Sequence, residues 1–149
     1  MDKISQITSS DLFVGLCKGL FCAEHYDFQT IDDSGGDGGN DGYSEKNEML
    51  FQMYCPEKPE KANDATYKSK IKEDLDKAKS LVDSGQYKIK EWIFVTPREL
   101  REPVQTYLRT EKLLLAALLE FHGLVQNLLN CLQGIPICEA SFQTSSNQI

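Results

Sequence analysis

The chain of 149 residues has few residues suited to metal or disulfide chemistry: two histidines and five cysteines, with no C-x-x-C pair. An odd number of unpaired cysteines argues against a disulfide framework and a structural zinc site. The first ten residues lack the apolar segment of a signal peptide. The most apolar stretch, LLLAALLEFHGLVQNLLNCL, is interrupted by polar residues, which argues against a membrane span. We therefore expect a soluble, cytoplasmic protein with reduced, mostly buried thiols.

Charge is distributed unevenly along the sequence. The net charge is −7, which taken alone argues against nucleic-acid binding. Residues 58–112, however, hold 13 Lys and Arg against 10 Asp and Glu, whereas the rest holds 3 against 13. An acidic, cation-binding loop beside a mildly basic helix would explain this distribution, and so would an ordinary solvated surface.

Helical and extended stretches alternate along the first two thirds of the chain. Apolar residues recur at helical spacing after Ser9, Ser10 and Asp11, any of which can cap a helix. Period-two alternation in MLFQMYC places Gln52 and Tyr54 on one face of a strand. Strands that alternate with helices predict an α/β sandwich with a mixed sheet flanked by helices. The predicted elements are a helix at 10–25, a strand within 26–33, a glycine loop at 34–43, a strand at 49–55, a helix at 63–82 and a strand at 88–96.

Two further helices are predicted after the last strand. Thr96, Pro97 and Glu99 have the spacing of a capping box with proline at the first helical position, and they predict a helix that Pro103 bends or ends. After Arg109 a second, apolar helix is predicted, which Gly134 would stop. Its stripe consists of Leu114, Leu118, Phe121, Val125, Leu129 and Leu132.

The segment SGGDGGNDGY, residues 34–43, carries five glycines and two aspartates and leads into a strand. The known glycine-rich phosphate loops lead into a helix, so neither of their patterns fits. The segment is close to the calcium repeat G-G-x-G-x-D, but its aspartate comes one residue late and the motif occurs once. A flexible linker remains open, and so does a nuclease metal site.

A nuclease metal site needs carboxylates that hold Mg²⁺ beside the scissile phosphate and polar groups on a neighbouring strand. Asp41 precedes Gln52 by eleven residues, and Gln52 and Tyr54 share one face of the predicted strand. Glycines in the loop would let the DNA backbone come close. This spacing is therefore compatible with metal-dependent phosphodiester cleavage.

The stretch DFQTIDDSGGDGGNDGYSEKNEMLFQMYCPEK resembles the core of the PD-(D/E)xK restriction-endonuclease-like superfamily, in particular Mrr-type and related bacterial phage-defence nuclease domains. The resemblance covers roughly residues 10–108. It implies a restriction-endonuclease-like sandwich with an extra C-terminal apolar helix, and an endonuclease that cuts DNA with Mg²⁺ or Mn²⁺ in restriction or phage defence. It also implies that Asp41 and Gln52 bind the metal.

The sequence departs from that family at two motif positions. Tyr54 stands where the motif has a lysine, so we expect Lys70 on the next helix to supply the positive charge, with Lys68 and then Lys58 as weaker candidates. Val14 stands where family members often carry a glutamate, and Glu24 lies too far along the helix to replace it. The alternative is a catalytically degenerate module that binds DNA or a protein partner.

The resemblance divides the chain into a domain at 1–110 and a C-terminal helix and tail at 111–149, which has no counterpart in the family and would be a truncated or altered end. The apolar helix is expected to pack on the domain or on a second copy in a homodimer. Related domains act with an ATPase or sensor partner, so such a partner is also expected.

Overall fold

The structure is a computed structural model, and it describes residues 6–31 and 42–132. Four strands and three α-helices follow one another in the order α1, β1, β2, β3, α2, β4, α3, with one turn of 3₁₀ helix before α2. Their bounds are α1 Ser10–Glu24, β1 Phe28–Thr30, β2 Gly42–Ser44, β3 Met49–Met53, the 3₁₀ turn Pro59–Lys61, α2 Asp64–Asp83, β4 Glu91–Val95 and α3 Glu102–Leu132.

The strands form one mixed sheet in the order β1-β2-β3-β4. The first three strands are antiparallel neighbours, whereas β3 and β4 run parallel, with Gln52 opposite Phe94. Parallel neighbours need a crossover connection, and α2 provides it. The prediction of a mixed sheet between helices is confirmed.

Alternating side chains of the central strands build a core on each face of the sheet. Leu50 and Trp92 pack against α2 and α3 on one face, whereas Met53 and Cys55 pack against Phe13 and its neighbours on α1 on the other. The predicted division of β3 into two faces is therefore confirmed.

Local hydrogen bonds fix the start of each of the first two helices. The Ser9 hydroxyl accepts a hydrogen bond from the Leu12 amide at 3.3 Å. Asn63 and Thr66 form a reciprocal capping box at the start of α2, in which the Thr66 amide donates to Asn63 Oδ1 at 2.9 Å. These caps satisfy amides that would otherwise lack partners, so the sequence predicted both helix starts closely.

The predicted helix start at Thr96 is wrong. The Thr96 hydroxyl is buried without a hydrogen-bond partner and does not act as a cap. The Arg98 guanidinium instead donates to the Ile7 carbonyl at 3.1 Å, which ties the connection after β4 to the N-terminal segment. The helix begins at Glu102, and Pro103 neither bends nor ends it because a proline in the first turn replaces an amide that has no intrahelical partner.

Two further differences concern strands. The strand β2 was not predicted, because Gly42–Ser44 is too short for a period-two pattern. The strand expected within residues 26–33 is confirmed only as Phe28–Thr30, since residues 32 and 33 lie outside the described part.

The last helix has two different halves. Its N-terminal half packs on the larger core through Val104 and Leu115, whereas its C-terminal half exposes large apolar side chains. Within the described residues, it is the one helix long and apolar enough to cross a membrane by length and composition alone. That property is weak evidence of a membrane location.

Candidate functional site

The polar face of β3 meets α2 in the interior of the protein. Gln52 is 1% exposed and its amide nitrogen has no hydrogen-bond partner of full geometry. The amide nevertheless lies close enough to Asp74 to lower the pKa of that carboxyl. Gln52 is thus held between the sheet and α2, on the face that strand alternation predicted it to share with Tyr54.

Asp74 is the buried acid of this cluster. Its side chain is 0% exposed, and the Lys70 ammonium nitrogen lies 2.9 Å from its Oδ1. Lys70 is one helical turn earlier, which puts the two side chains on the same side of α2. The Lys70 side chain is 16% exposed and also lies 3.7 Å from Glu73. Lys70 therefore lies between the buried Asp74 carboxylate and the protein surface.

Burial dominates the ionisation of Asp74. Desolvation raises the pKa of this carboxyl above its ordinary value, and Lys70, Gln52 and Lys77 offset only part of that effect. A buried carboxylate favours its neutral form unless opposite charge and hydrogen bonds compensate fully. The ionisation of Asp74 therefore depends on how close the Lys70 ammonium lies.

Tyr54 follows β3 and closes the cluster on the outer side. Its ring stacks edge-on against that of Tyr67, with ring centres 5.7 Å apart, and the Lys70 ammonium lies 5.9 Å from its ring centre. Burial, followed by the nearby Tyr67 and Asp74, raises the pKa of the Tyr54 phenol, so the phenol stays protonated at neutral pH. The structure thus brings Gln52, Tyr54 and Lys70 together.

A cleft of about 430 Å³ opens beside this cluster. It lies between the segment after β3 and the start of α2, and it is lined by Tyr54, Cys55, Pro56, Glu57, Lys58, Lys61, Ala62 and Thr66. Two lysines and one glutamate give its rim a net positive charge. Lys58, the weakest lysine candidate from the sequence, lines this cleft.

The remaining candidates from the sequence lie elsewhere. Asp41 is outside the described residues, and the next residue, Gly42, starts β2 with Phe51 as its Cα partner. Lys68 lies over the Tyr107 ring of α3, away from Gln52. Val14 packs on the smaller core beneath the opposite face of the sheet.

Asp74 was not among the predicted site residues, although the sequence carries a signal for it. Ile71, Leu75 and Ala78 form the apolar stripe of α2, and position 74 falls within that stripe at helical spacing. A charged residue within the apolar stripe of a helix faces the core together with its neighbours. Charged residues are almost never fully buried unless they are paired, so such a position predicts a partner. The neighbouring Lys72–Asp76 pair has the same spacing but is exposed, so spacing alone does not distinguish the two.

A second polar cluster sits at the turn between β2 and β3. Asp27 accepts hydrogen bonds from the Ser44 hydroxyl at 2.9 Å and from the Lys46 amide at 2.7 Å, which lowers the pKa of its carboxyl. Asn47 bridges Ser44 and His25. The cluster has Ser, His and Asp members, but the serine donates to the aspartate and does not contact the histidine, so it fastens the turn and is not arranged as a catalytic triad.

The described residues leave the predicted metal site untested. Within residues 6–31 and 42–132, no group of three or more His, Cys, Asp and Glu side chains is arranged to hold a metal ion. Of the two predicted ligands, only Gln52 falls in that part of the chain, and the carboxylate nearest to it, Asp74, is engaged by Lys70. The predicted metal role of Asp41 and Gln52 therefore stays a prediction.

Comparison of the chain with protein-family models, curated proteins and solved structures gave no match.

Proposed function

We propose that the chain is a restriction-endonuclease-like domain that hydrolyses DNA phosphodiester bonds with Mg²⁺ or Mn²⁺, in the cytoplasm, as part of restriction or phage defence. The observation that supports this proposal most strongly is the position of Lys70. Its ammonium lies at the polar face of β3 beside Tyr54, which occupies the motif position of the missing lysine. Helix α2 therefore supplies the positive charge that the strand lacks.

Phosphodiester hydrolysis places extra negative charge on the phosphate oxygens when water attacks phosphorus. A fixed ammonium group lowers the free energy of that state because its charge is already oriented. Tyr54 is neutral at neutral pH and cannot provide this charge. In the proposed reaction Lys70 stabilises the phosphate oxygens, and Tyr54 limits the positions its side chain can take.

Asp74 holds the Lys70 ammonium in place before substrate binds. The ion pair is short, yet burial raises the pKa of Asp74, so this carboxylate is a poorly stabilised partner. An arriving phosphate oxygen can therefore replace Asp74 as the partner of the ammonium. Asp74 is a positioning residue in this proposal.

Asp41 and Gln52 would hold the metal ion. Consecutive Cα atoms are about 3.8 Å apart, so the covalent chain keeps Asp41 next to Gly42, whose strand partner Phe51 precedes Gln52. When bound, the ion would neutralise charge on the phosphate and lower the pKa of a bound water. The cleft with Lys58 and Lys61 would bind a neighbouring phosphate of the same strand.

The second candidate is a catalytically degenerate module that binds DNA or a protein partner, such as an ATPase or sensor. Two observations favour it. Gln52 is almost fully buried, which restricts its access to a metal, and Val14 leaves α1 without the acid that the family often has there. In this candidate the Lys70–Asp74 pair is purely structural.

Nicking of supercoiled plasmid by the purified chain distinguishes the two candidates. The reaction is run with Mg²⁺, with Mn²⁺ and with EDTA, beside Asp41→Ala and the matched control Asp37→Ala from the same loop. The proposal predicts metal-dependent nicking that is lost in Asp41→Ala and retained in Asp37→Ala. Plasmid binding without nicking would support the degenerate module, and neither binding nor nicking would contradict both DNA-directed functions.

A further inference from the structure

The C-terminal half of α3 exposes large apolar side chains that no other described part of the chain covers. Phe121, Leu128 and Leu132 are 63%, 61% and 76% exposed. Isolated exposed leucines are ordinary on protein surfaces, but a continuous row of them marks an interaction surface.

Six apolar residues of this half, five of them exposed and Leu118 half-buried, follow a heptad repeat, and the exposed Leu124 and Leu129 flank the row at g and e positions. Starting at Leu114, apolar residues recur at intervals of four, three, four, three and four positions. This average of 3.5 residues defines the seam of a coiled coil, with alternating a and d positions. We call this row the α3 seam; it consists of Leu114, Leu118, Phe121, Val125, Leu128 and Leu132.

Polar residues in the same half of the helix avoid the seam. By heptad counting, Glu120 and Asn127 occupy c positions, on the outer side of a coiled coil. A helix that faces lipid on all sides would be apolar all round. The segregation therefore favours a helical partner in water over a bilayer.

The charge and extent of the seam favour a second copy of the chain as that partner. Glu120 is the one Asp, Glu, Lys or Arg between positions 113 and 132, so apart from His122 at an e position no titratable acid or base stands at the e and g positions, where charge selects an unlike partner. Six apolar side chains at about 100 Å² each would bury roughly 600 Å² per copy, which is at the lower edge of the ~600–1,000 Å² per partner of a standard stable interface. Two identical helices present the same seam, so a two-fold axis between the copies buries both seams in one interface.

We propose that two copies of the chain pair through the α3 seam to form a coiled-coil dimer. This inference does not depend on the proposed nuclease function, because none of the seam residues lies in the cluster around Lys70. It accounts for why α3 continues well beyond Leu115, its last deeply buried residue.

Sedimentation of the full-length chain in detergent-free buffer tests the proposal. The double variant Phe121→Glu, Leu128→Glu places charge at two seam positions, and Leu113→Glu is the matched control, because Leu113 is 73% exposed but falls at an outer c position. The expected result is twice the chain mass for the wild type and the control, and the single-chain mass for the seam variant. Fluorescence of Trp92, the one tryptophan, verifies that each variant keeps its core.

Three outcomes would overturn the proposal: a monomeric wild type at micromolar concentration, a seam variant that stays dimeric, or a control that dissociates as fully as the seam variant. Recovery of the wild type only with phospholipid vesicles, and not as a dimer in buffer, would instead assign the seam to a membrane surface.

Discussion

The substitution Lys70→Met should destabilise the protein by about 3 kcal/mol at neutral pH, since removal of one partner from a buried ion pair costs roughly 3–5 kcal/mol. The reason is that Asp74, which is 0% exposed, would lose the ammonium 2.9 Å away and keep a carboxyl that water cannot reach. The partial exposure of Lys70 places the expected value at the lower end of the range.

The cost should depend on pH, with a sign that follows from the pKa of Asp74. Burial raises this pKa in the folded state, and loss of Lys70 raises it further, because the lysine is one of the groups that lower it. The folded protein then binds a proton that the unfolded chain has already released, so the free energy of unfolding falls as pH rises between the unfolded and folded pKa values. Lys70→Met should therefore be more destabilising at pH 8 than at pH 5.

A second substitution should reverse most of this loss. In Lys70→Met, Asp74→Asn the buried charge is gone, and neutral side chains of similar size often replace a buried ion pair without net cost. The matched control is Lys72→Met, which breaks an exposed pair of the same spacing, with side chains 65% and 54% exposed, and should leave stability almost unchanged.

Urea unfolding followed by Trp92 fluorescence measures all four proteins at both pH values, because this buried tryptophan reports directly on the larger core. The reasoning is refuted if Lys70→Met and Lys72→Met lose the same stability, or if the loss in Lys70→Met is independent of pH. A double variant that is less stable than Lys70→Met would refute it as well.

Two further predictions use the same unfolding measurement. Gly42→Ala should lower the free energy of unfolding by about 1–3 kcal/mol, because a Cβ there would overlap the ring of Phe28. Gly19→Ala, on an open face of α1, should raise it by up to ~1 kcal/mol. Equal effects would contradict the packing argument. Gln52→Met conserves volume and should change stability by less than about 1.5 kcal/mol while abolishing nicking, and unchanged nicking would remove Gln52 from the proposed site.

The sequence predicted most elements because their signals are local. Ser9 and Asn63 cap helices with their own side chains, and the alternation in MLFQMYC follows from the pleat of a single strand. The false helix start at Thr96 shows the limit of such signals. Its capping pattern is complete, but Arg98 donates a hydrogen bond to the Ile7 carbonyl, 91 residues earlier in the chain. No local sequence pattern predicts that contact.

The candidate site was predictable in part for the same reason. Strand alternation placed Gln52 and Tyr54 together, and the helix after β3 offered Lys70 and Lys68 as lysines for that face. Of the two lysines weighed for this role, Lys70 lies beside Tyr54 and Lys68 lies over Tyr107, and the catalytic role of Lys70 stays a prediction. Whether Asp74 faces the sheet depends on the rotation of α2 about its own axis. The packing of the whole core determines that rotation, so the local sequence does not predict it.

The most direct test of the central claim is the rate of metal-dependent plasmid nicking by the double variant Lys70→Met, Asp74→Asn, at a pH where fluorescence shows it as fully folded as the wild type. This comparison separates catalysis from stability. The account predicts measurable nicking by the wild type and by Lys72→Met, and a rate lower by roughly 10²–10³-fold in the double variant, as for loss of a group that stabilises transition-state charge. A folded double variant that nicks at the wild-type rate, or a wild type that does not nick at all, would contradict it.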